Sequence, residues 1–173
     1  GSLIILLVNN VFYIPSNCFL LLFFLIPGLL SWAYPPEKDG IQRELERAED
    51  LMIDSDYQEA LIILDSLKWI CHEKEDWETY FDVKVGISSA LAGLSQPKTA
   101  HDMLMNSLDS LKIYCGNPSL ALTKYYNSIG EAKGYLNQLN SQIEYFQDAI
   151  DVFDALPEEK KEDPFLRAIY LNN

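Results

Sequence analysis

The sequence predicts an all-α fold, an array of antiparallel helical hairpins preceded by a hydrophobic N-terminal segment. Three observations carry this prediction. Apolar residues recur at three- and four-residue steps from residue 39 onward, as in Ile41, Leu45, Ala48 and Met52 and again in Ala60, Ile63, Leu64 and Leu67. Helix breakers punctuate that pattern at regular intervals, and no alternating β-branched run bounded by turns signals a strand. Finally, columns of small and large residues repeat with a period near 40.

The breakers place the elements in order. Helices are expected over about 39–54, 56–73, 76–94, 97–114, 118–138 and 141–155, with a seventh beginning at Pro164. Asp54-Ser55-Asp56 separates the first two. Ser95-Gln96-Pro97 offers a proline at a first helical position, where its missing N–H costs nothing. Gly116-Asn117-Pro118 reads as a helix stop, an N-cap and an N1 proline in succession, and Asp163-Pro164 repeats the cap-and-proline start.

Charge divides the chain. Residues 1–36 carry no charged side chain, so all 26 acidic and 13 basic residues fall after them. Within that leader, Leu3–Ile14 and Cys18–Ala33 are apolar stretches split by Pro15-Ser16-Asn17. The second has the length of a secretory h-region and ends in Ser31-Trp32-Ala33, a small-x-small cleavage pattern, but no basic n-region precedes it. Three readings compete: a cleaved export signal, an uncleaved membrane anchor needing roughly 20 apolar residues to span, and a buried helix of the fold. Export, periplasmic or secreted, is favoured, with membrane anchoring second.

The net charge of -13 argues against nucleic acid as a ligand, because phosphate binding needs a basic surface. It equally disfavours docking on anionic headgroups, which leaves the leader as the one membrane element. From Glu37 to Asp82 fifteen Asp/Glu stand against five Lys/Arg, a net of -10, so the rest carries -3. Solvated helix faces and helix N-termini account for this excess. A basic partner for the first hairpin is the sharper alternative. Cys18, Cys71 and Cys115 have no metal-type spacing, and an odd number cannot all pair within the chain. Cys71 and Cys115 fall near helix ends, where a thiol is usually a small buried hydrophobe, though an exported chain leaves their pairing open.

The period shows best in aligned columns. Ala60, Ala100 and Gln142 share one; Ala48, Ser88 and Gly130 lie twelve residues earlier; Leu64, Leu104 and Phe146 lie four later. The physical need is a small side chain on the first helix of each hairpin and a bulky knob on the second. These columns resemble the tetratricopeptide repeat (TPR), whose helix A carries aromatic-x-x-Leu-Gly-x-x-Tyr and whose helix B carries Ala-x-x-x-Phe-x-x-Ala. Tyr126, Ile129 and Gly130, then Phe146 and Ala149, match that pattern. Arg47 stands where the family has Leu, Lys133 where it has Tyr, and Gln142 where it has Ala. The copies are spaced 40 and 42 residues apart, against the usual 34.

The resemblance implies a long-helix variety of a right-handed superhelical α-solenoid. Its repeats would cover about 39–75, 76–116 and 117–157, with a fourth begun at 164 and broken off in Ala168–Asn173. It also implies a non-catalytic protein–protein interaction scaffold. By analogy with TPR chains that carry a leader, this one is expected to be the N-terminal part of a larger bacterial-type signalling protein. A kinase, regulator or caspase-like protease would follow. A membrane-anchored assembly factor is the alternative, and an unrelated helical bundle with coincident columns is the third reading. The A-helix positions that do not pack inward line the concave face of such arrays. Here they are Gln42, Leu45 and Glu49, then Asp82, Val85 and Ser89, then Lys124, Asn127, Glu131 and Tyr135. The set lacks the Lys/Asn/Arg pattern of a clamp for C-terminal carboxylates.

No catalytic signature appears, neither GxSxG, a phosphate-cradling glycine loop nor HExxH. His72 and Asp76 have i, i+4 spacing but lie in a polar helix end, and His101 beside Asp102 has no second ligand at metal spacing. No cofactor or metal is expected. Tyr125, Tyr126, Tyr135, Tyr145 and Phe146 are expected to pack between helices, with Met103 and Met105 as core and surface neighbours.

Overall fold

The structure, a computed structural model, describes residues 38–161. The leader and the helix expected from Pro164 lie outside the described residues. Seven helices are described: α1 (Lys38–Ile53), α2 (Tyr57–Glu73), α3 (Trp77–Gly93), α4 (Pro97–Met105), α5 (Leu108–Tyr114), α6 (Leu120–Tyr135) and α7 (Leu139–Asp154). A 3₁₀ turn at Glu158–Lys160 follows. Successive helices pack as hairpins, α1 on α2, α3 on α4 and α6 on α7, and no strand occurs among the described residues.

Apolar spacing explains the packing. On α2 the buried residues are Ala60, Leu64, Leu67 and Cys71, a stripe at four- and three-residue steps that lies on one helical face. Together with Ile41 and Ala48 of α1 and Val83, Ile87 and Ala90 of α3 they form the first core. Phe81 of α3 turns to the second core, shared with Leu104 of α4, Leu111 of α5 and Leu122, Tyr125 and Ile129 of α6. Each such Leu, Ile or Phe contributes about 1.5–3 kcal/mol by leaving water. α6 packs on α3, α4, α5 and α7, and is therefore buried around most of its circumference.

The column of Arg47, Ile87 and Ile129 shows why the first copy departs from the pattern. Ile87 and Ile129 are 4% and 0% exposed, each covered by neighbouring helices. No described helix covers Arg47, whose side chain is 57% exposed and reaches Glu59 of α2 at 3.2 Å. An apolar residue there would face water.

Four of the six links between these helices share one geometry. Ser55, Glu75, Ser95 and Asn137 all take left-handed φ values of 68°, 56°, 61° and 59°. Each lies one residue past a helix C-cap. The next residue's N–H reaches back five positions, Asp56 to Leu51, Asp76 to Cys71, Gln96 to Leu91 and Gln138 to Lys133, at 2.8–3.0 Å. This is the Schellman closure, usually built on glycine. Pro97 opens α4 at its first turn, as its spacing predicts.

Two expectations need correction. The single helix over 97–114 is broken at Asn106–Ser107 into α4 and α5. The buried Ser107 hydroxyl lies 2.9 Å from the Met103 carbonyl, and its N–H bonds to Leu104, tightening the turn. Such back-bonding bends helices. The helix expected from Pro118 begins instead at Leu120, capped by Ser119, whose hydroxyl accepts from the Leu122 N–H at 3.2 Å. Ser119 holds the extended backbone an N-cap requires, whereas the Asn117–Pro118 peptide is cis and stands outside the helix.

Candidate functional site

Helices α1, α3 and α6 carry the positions expected on the concave face. Gln42, Leu45 and Glu49 of α1, Asp82, Val85 and Ser89 of α3, and Lys124 of α6 line one groove of about 510 Å³. Met52, Leu64 and Gly86 complete its lining. Gly86 thins the wall, since a Cβ there would stand 3.2 Å from Leu64 Cδ2. Met52 could have been read from the sequence as the next outward position of its helix, three residues past Glu49. Leu64 and Gly86 could not, because they enter only through the depth of the groove.

The other three expected positions lie farther along α6. Glu131 and Tyr135 line a smaller cleft of about 200 Å³ against Ser88, Ser89 and Ala92 of α3, with Ser128 and Ala132 beside them. Glu131 and Tyr135 also face Gly134, Gln142 and Phe146 in a depression between α6 and α7. Asn127 is buried at 8% exposure, and its amide donates to the Glu131 carboxylate at 2.9 Å. It supports a neighbouring side chain. Tyr135 is 65% exposed, so it joins this surface and departs from the interhelix packing expected of it. Tyr125 and Phe146, by contrast, are buried.

The electrostatics are lopsided. Lys124 meets Asp82 at 2.8 Å with both side chains about a third exposed, a pair worth only about 0–1 kcal/mol. That pairing occupies the groove's cation and leaves Glu49 without a counter-charge from the groove lining. Burial pushes the Glu131 carboxyl above its ordinary value, while the Asn127 amide pulls it back.

Residues that tempt a catalytic reading find ordinary roles. His72 packs edge-on against Trp77 at 5.5 Å. Asp76 is the N-cap of α3, accepting from the Thr79 N–H at 3.3 Å and its hydroxyl at 2.9 Å. His101 holds Asp102 through Nδ1 at 3.0 Å, and its Nε2 is buried without a partner. No group of three potential metal ligands occurs among the described residues. Cys71 and Cys115 are free thiols, raised by burial to about 11. Sequence reasoning missed Lys84, a buried lysine whose ammonium stands 5.4 Å from the Tyr80 ring centroid. Burial, aided by Lys68, lowers it to about 8. No helix among the described residues is long and apolar enough to cross a membrane.

Comparison with solved structures finds the same architecture. The crystal structure of the TPR domain of Arabidopsis FLU superposes with a TM-score of 0.59, covering 70% of this chain and all of that one at 13% identity. At that identity the likeness establishes the fold, a TPR-like array of helical hairpins, and nothing finer. No family profile matches the sequence. No curated protein matches it either.

Proposed function

We propose that this TPR-type array is a non-catalytic scaffold that binds a protein partner through the groove across α1, α3 and α6. The observation that carries the reading is the convergence of seven outward positions from three successive A helices on one groove of about 510 Å³. Its walls mix apolar surface (Leu45, Val85, Met52) with hydrogen-bonding groups (Gln42, Ser89) and net negative charge, which suits a peptide segment carrying basic residues. The volume falls within the roughly 300–1,000 Å³ range of ligand clefts, but the lining holds one closed ion pair, and its single hydroxyl, Ser89, donates to the Val85 carbonyl. Recognition accounts for these features better than chemistry does.

The charge-free stretch 1–36 supports placing the array in an exported or membrane-associated signalling protein, or in an anchored assembly factor. N-terminal sequencing of the mature chain separates these contexts, since a start at Tyr34 excludes the anchor.

Selection of peptides from a displayed random library on the full chain tests the binding face. Selected peptides should lose at least tenfold in affinity for the double variant Glu49→Lys/Ser89→Arg, two exposed groove positions. They should keep it for Ile62→Ser, outside the groove lining. Absence of enrichment, or equal binding to all three proteins, sinks the reading.

A further inference from the structure

We propose that the cleft between α3 and α6 is a receptor for one arginine side chain of the partner, with Glu131 as its counter-charge. The inference rests on the protein-binding reading of the adjoining groove and specifies what that partner must present.

Glu131 is half-buried, and one of its oxygens is held by the buried Asn127 amide at 2.9 Å. No lysine or arginine pairs with it among the described residues, and its second oxygen has no hydrogen-bond partner there. A carboxylate partly removed from water and left without a counter-charge is costly in isolation, and an incoming cation recovers that cost. The cleft it faces measures about 200 Å³, the space of roughly seven waters at about 30 Å³ each, which suits a single side chain and excludes a cofactor.

The lining chooses between cations. Ser88, Ser89 and Ser128 line the cleft together with Glu131 and bring three hydroxyl groups to it, and Tyr135 adds an exposed ring. A guanidinium has five N–H donors in a planar fork and stacks on aromatic faces, so it can use all of these at once. An ammonium has three donors and lacks the planar face that stacks on a ring, so it uses less of this lining. The Asn127 amide holds one carboxylate oxygen before the ligand arrives and leaves the other open to it.

The test uses the full chain labelled with ¹⁵N and two blocked pentapeptides, Gly-Ala-Arg-Ala-Gly and the same sequence with citrulline, the uncharged isostere of arginine. The arginine peptide should give saturable shifts at the amides of Ser88, Ser89, Ser128 and Glu131. Affinity should fall at least tenfold with citrulline, and equally in Glu131→Gln, whose fold is checked by circular dichroism. A lysine peptide should bind several-fold more weakly. Shifts spread over Glu49, Asp82 and Asp151, or unchanged by Glu131→Gln, overturn the proposal. Peptides from the library that engage the groove without needing arginine overturn it too, and leave the groove standing. Saturable arginine binding at Glu131 with no peptide ever selected would instead remove the groove reading and keep the cleft.

Discussion

A Cβ on Gly130 would stand 2.6 Å from Cδ1 and Cε1 of Phe146, so the α6–α7 hairpin closes to a distance that only glycine allows. The backbone carbonyl of Gln142, 3.3 Å from the same point, shuts off the other direction of escape. Gly130→Ala gains about 1 kcal/mol in helix propensity but forces a buried ring to move, and overpacking of this kind costs about 1–3 kcal/mol. The net should be a lower Tm. Gly134→Ala on the same helix meets only the side-chain amide of Gln142, which is half-exposed and can swing away. That variant should gain up to about 1 kcal/mol. Thermal unfolding of the two checks the contrast, and a shared sign refutes it.

Ser107 and Tyr125 form a buried hydroxyl pair at 2.9 Å, linking the α4–α5 bend to α6. Ser107→Ala strands the Tyr125 hydroxyl in the core and should cost about 1–3 kcal/mol. Removing both hydroxyls in Ser107→Ala/Tyr125→Phe leaves no tyrosine hydroxyl stranded, so the double variant should be more stable than Ser107→Ala alone. A denaturant double-mutant cycle reads this coupling, and simple additivity would contradict it.

Glu131 predicts an inverted pH response. Burial raises its carboxyl above the ordinary value, so the native state binds the proton more tightly than the unfolded chain does. The native state is therefore penalised above the folded pKa, and the penalty fades as pH falls into the ordinary carboxylate range. The groups facing it are Ser88 and Ser89 from α3, Gln142 and Phe146 from α7, and Asn127 and Tyr135 of its own helix, none charged at neutral pH. Glu131→Gln should raise Tm at pH 7 and lose that advantage near pH 4. A variant less stable at pH 7 would contradict the assignment.

Glu75 holds a left-handed φ of 56° without the freedom of glycine. That conformation costs a non-glycine residue roughly 1–2 kcal/mol, and glycine's extra freedom in the unfolded chain returns about 0.4–1. Glu75→Gly should therefore stabilise by about 0.5–1 kcal/mol. Asn137→Gly should do less, because asparagine tolerates this region. Chemical denaturation of the two variants ranks them.

Much of this architecture is legible in the sequence because it rests on periodicity. The stripe Ala60, Leu64, Leu67, Cys71 and the small-to-large columns are spaced by the helix repeat itself, so the α1–α2 and α6–α7 hairpins emerge from spacing alone. What escapes is set by single hydrogen bonds. Ser107 looks like any mid-helix serine until its hydroxyl turns back to Met103. Asn117 and Ser119 are both good caps, and only backbone geometry decides for Ser119. The outward positions of the A helices follow from the TPR register. The cleft at Glu131 does not, since Ser88 sits in the register as an inward small residue and meets Ser128 only when α3 and α6 pack.

The four repeated links have a consequence for how such a chain can change. Asp-Ser-Asp, Lys-Glu-Asp, Leu-Ser-Gln and Leu-Asn-Gln make the same three-residue joint, at 54–56, 74–76, 94–96 and 136–138. One of them, 74–76, connects two hairpins, and the others turn within a hairpin. The joint thus serves both kinds of connection, and it takes Ser, Glu or Asn at its left-handed position. A hairpin cut at one such joint and rejoined at another would meet the same turn geometry, so the packing of helix faces, not the junction, decides which copies can stand side by side.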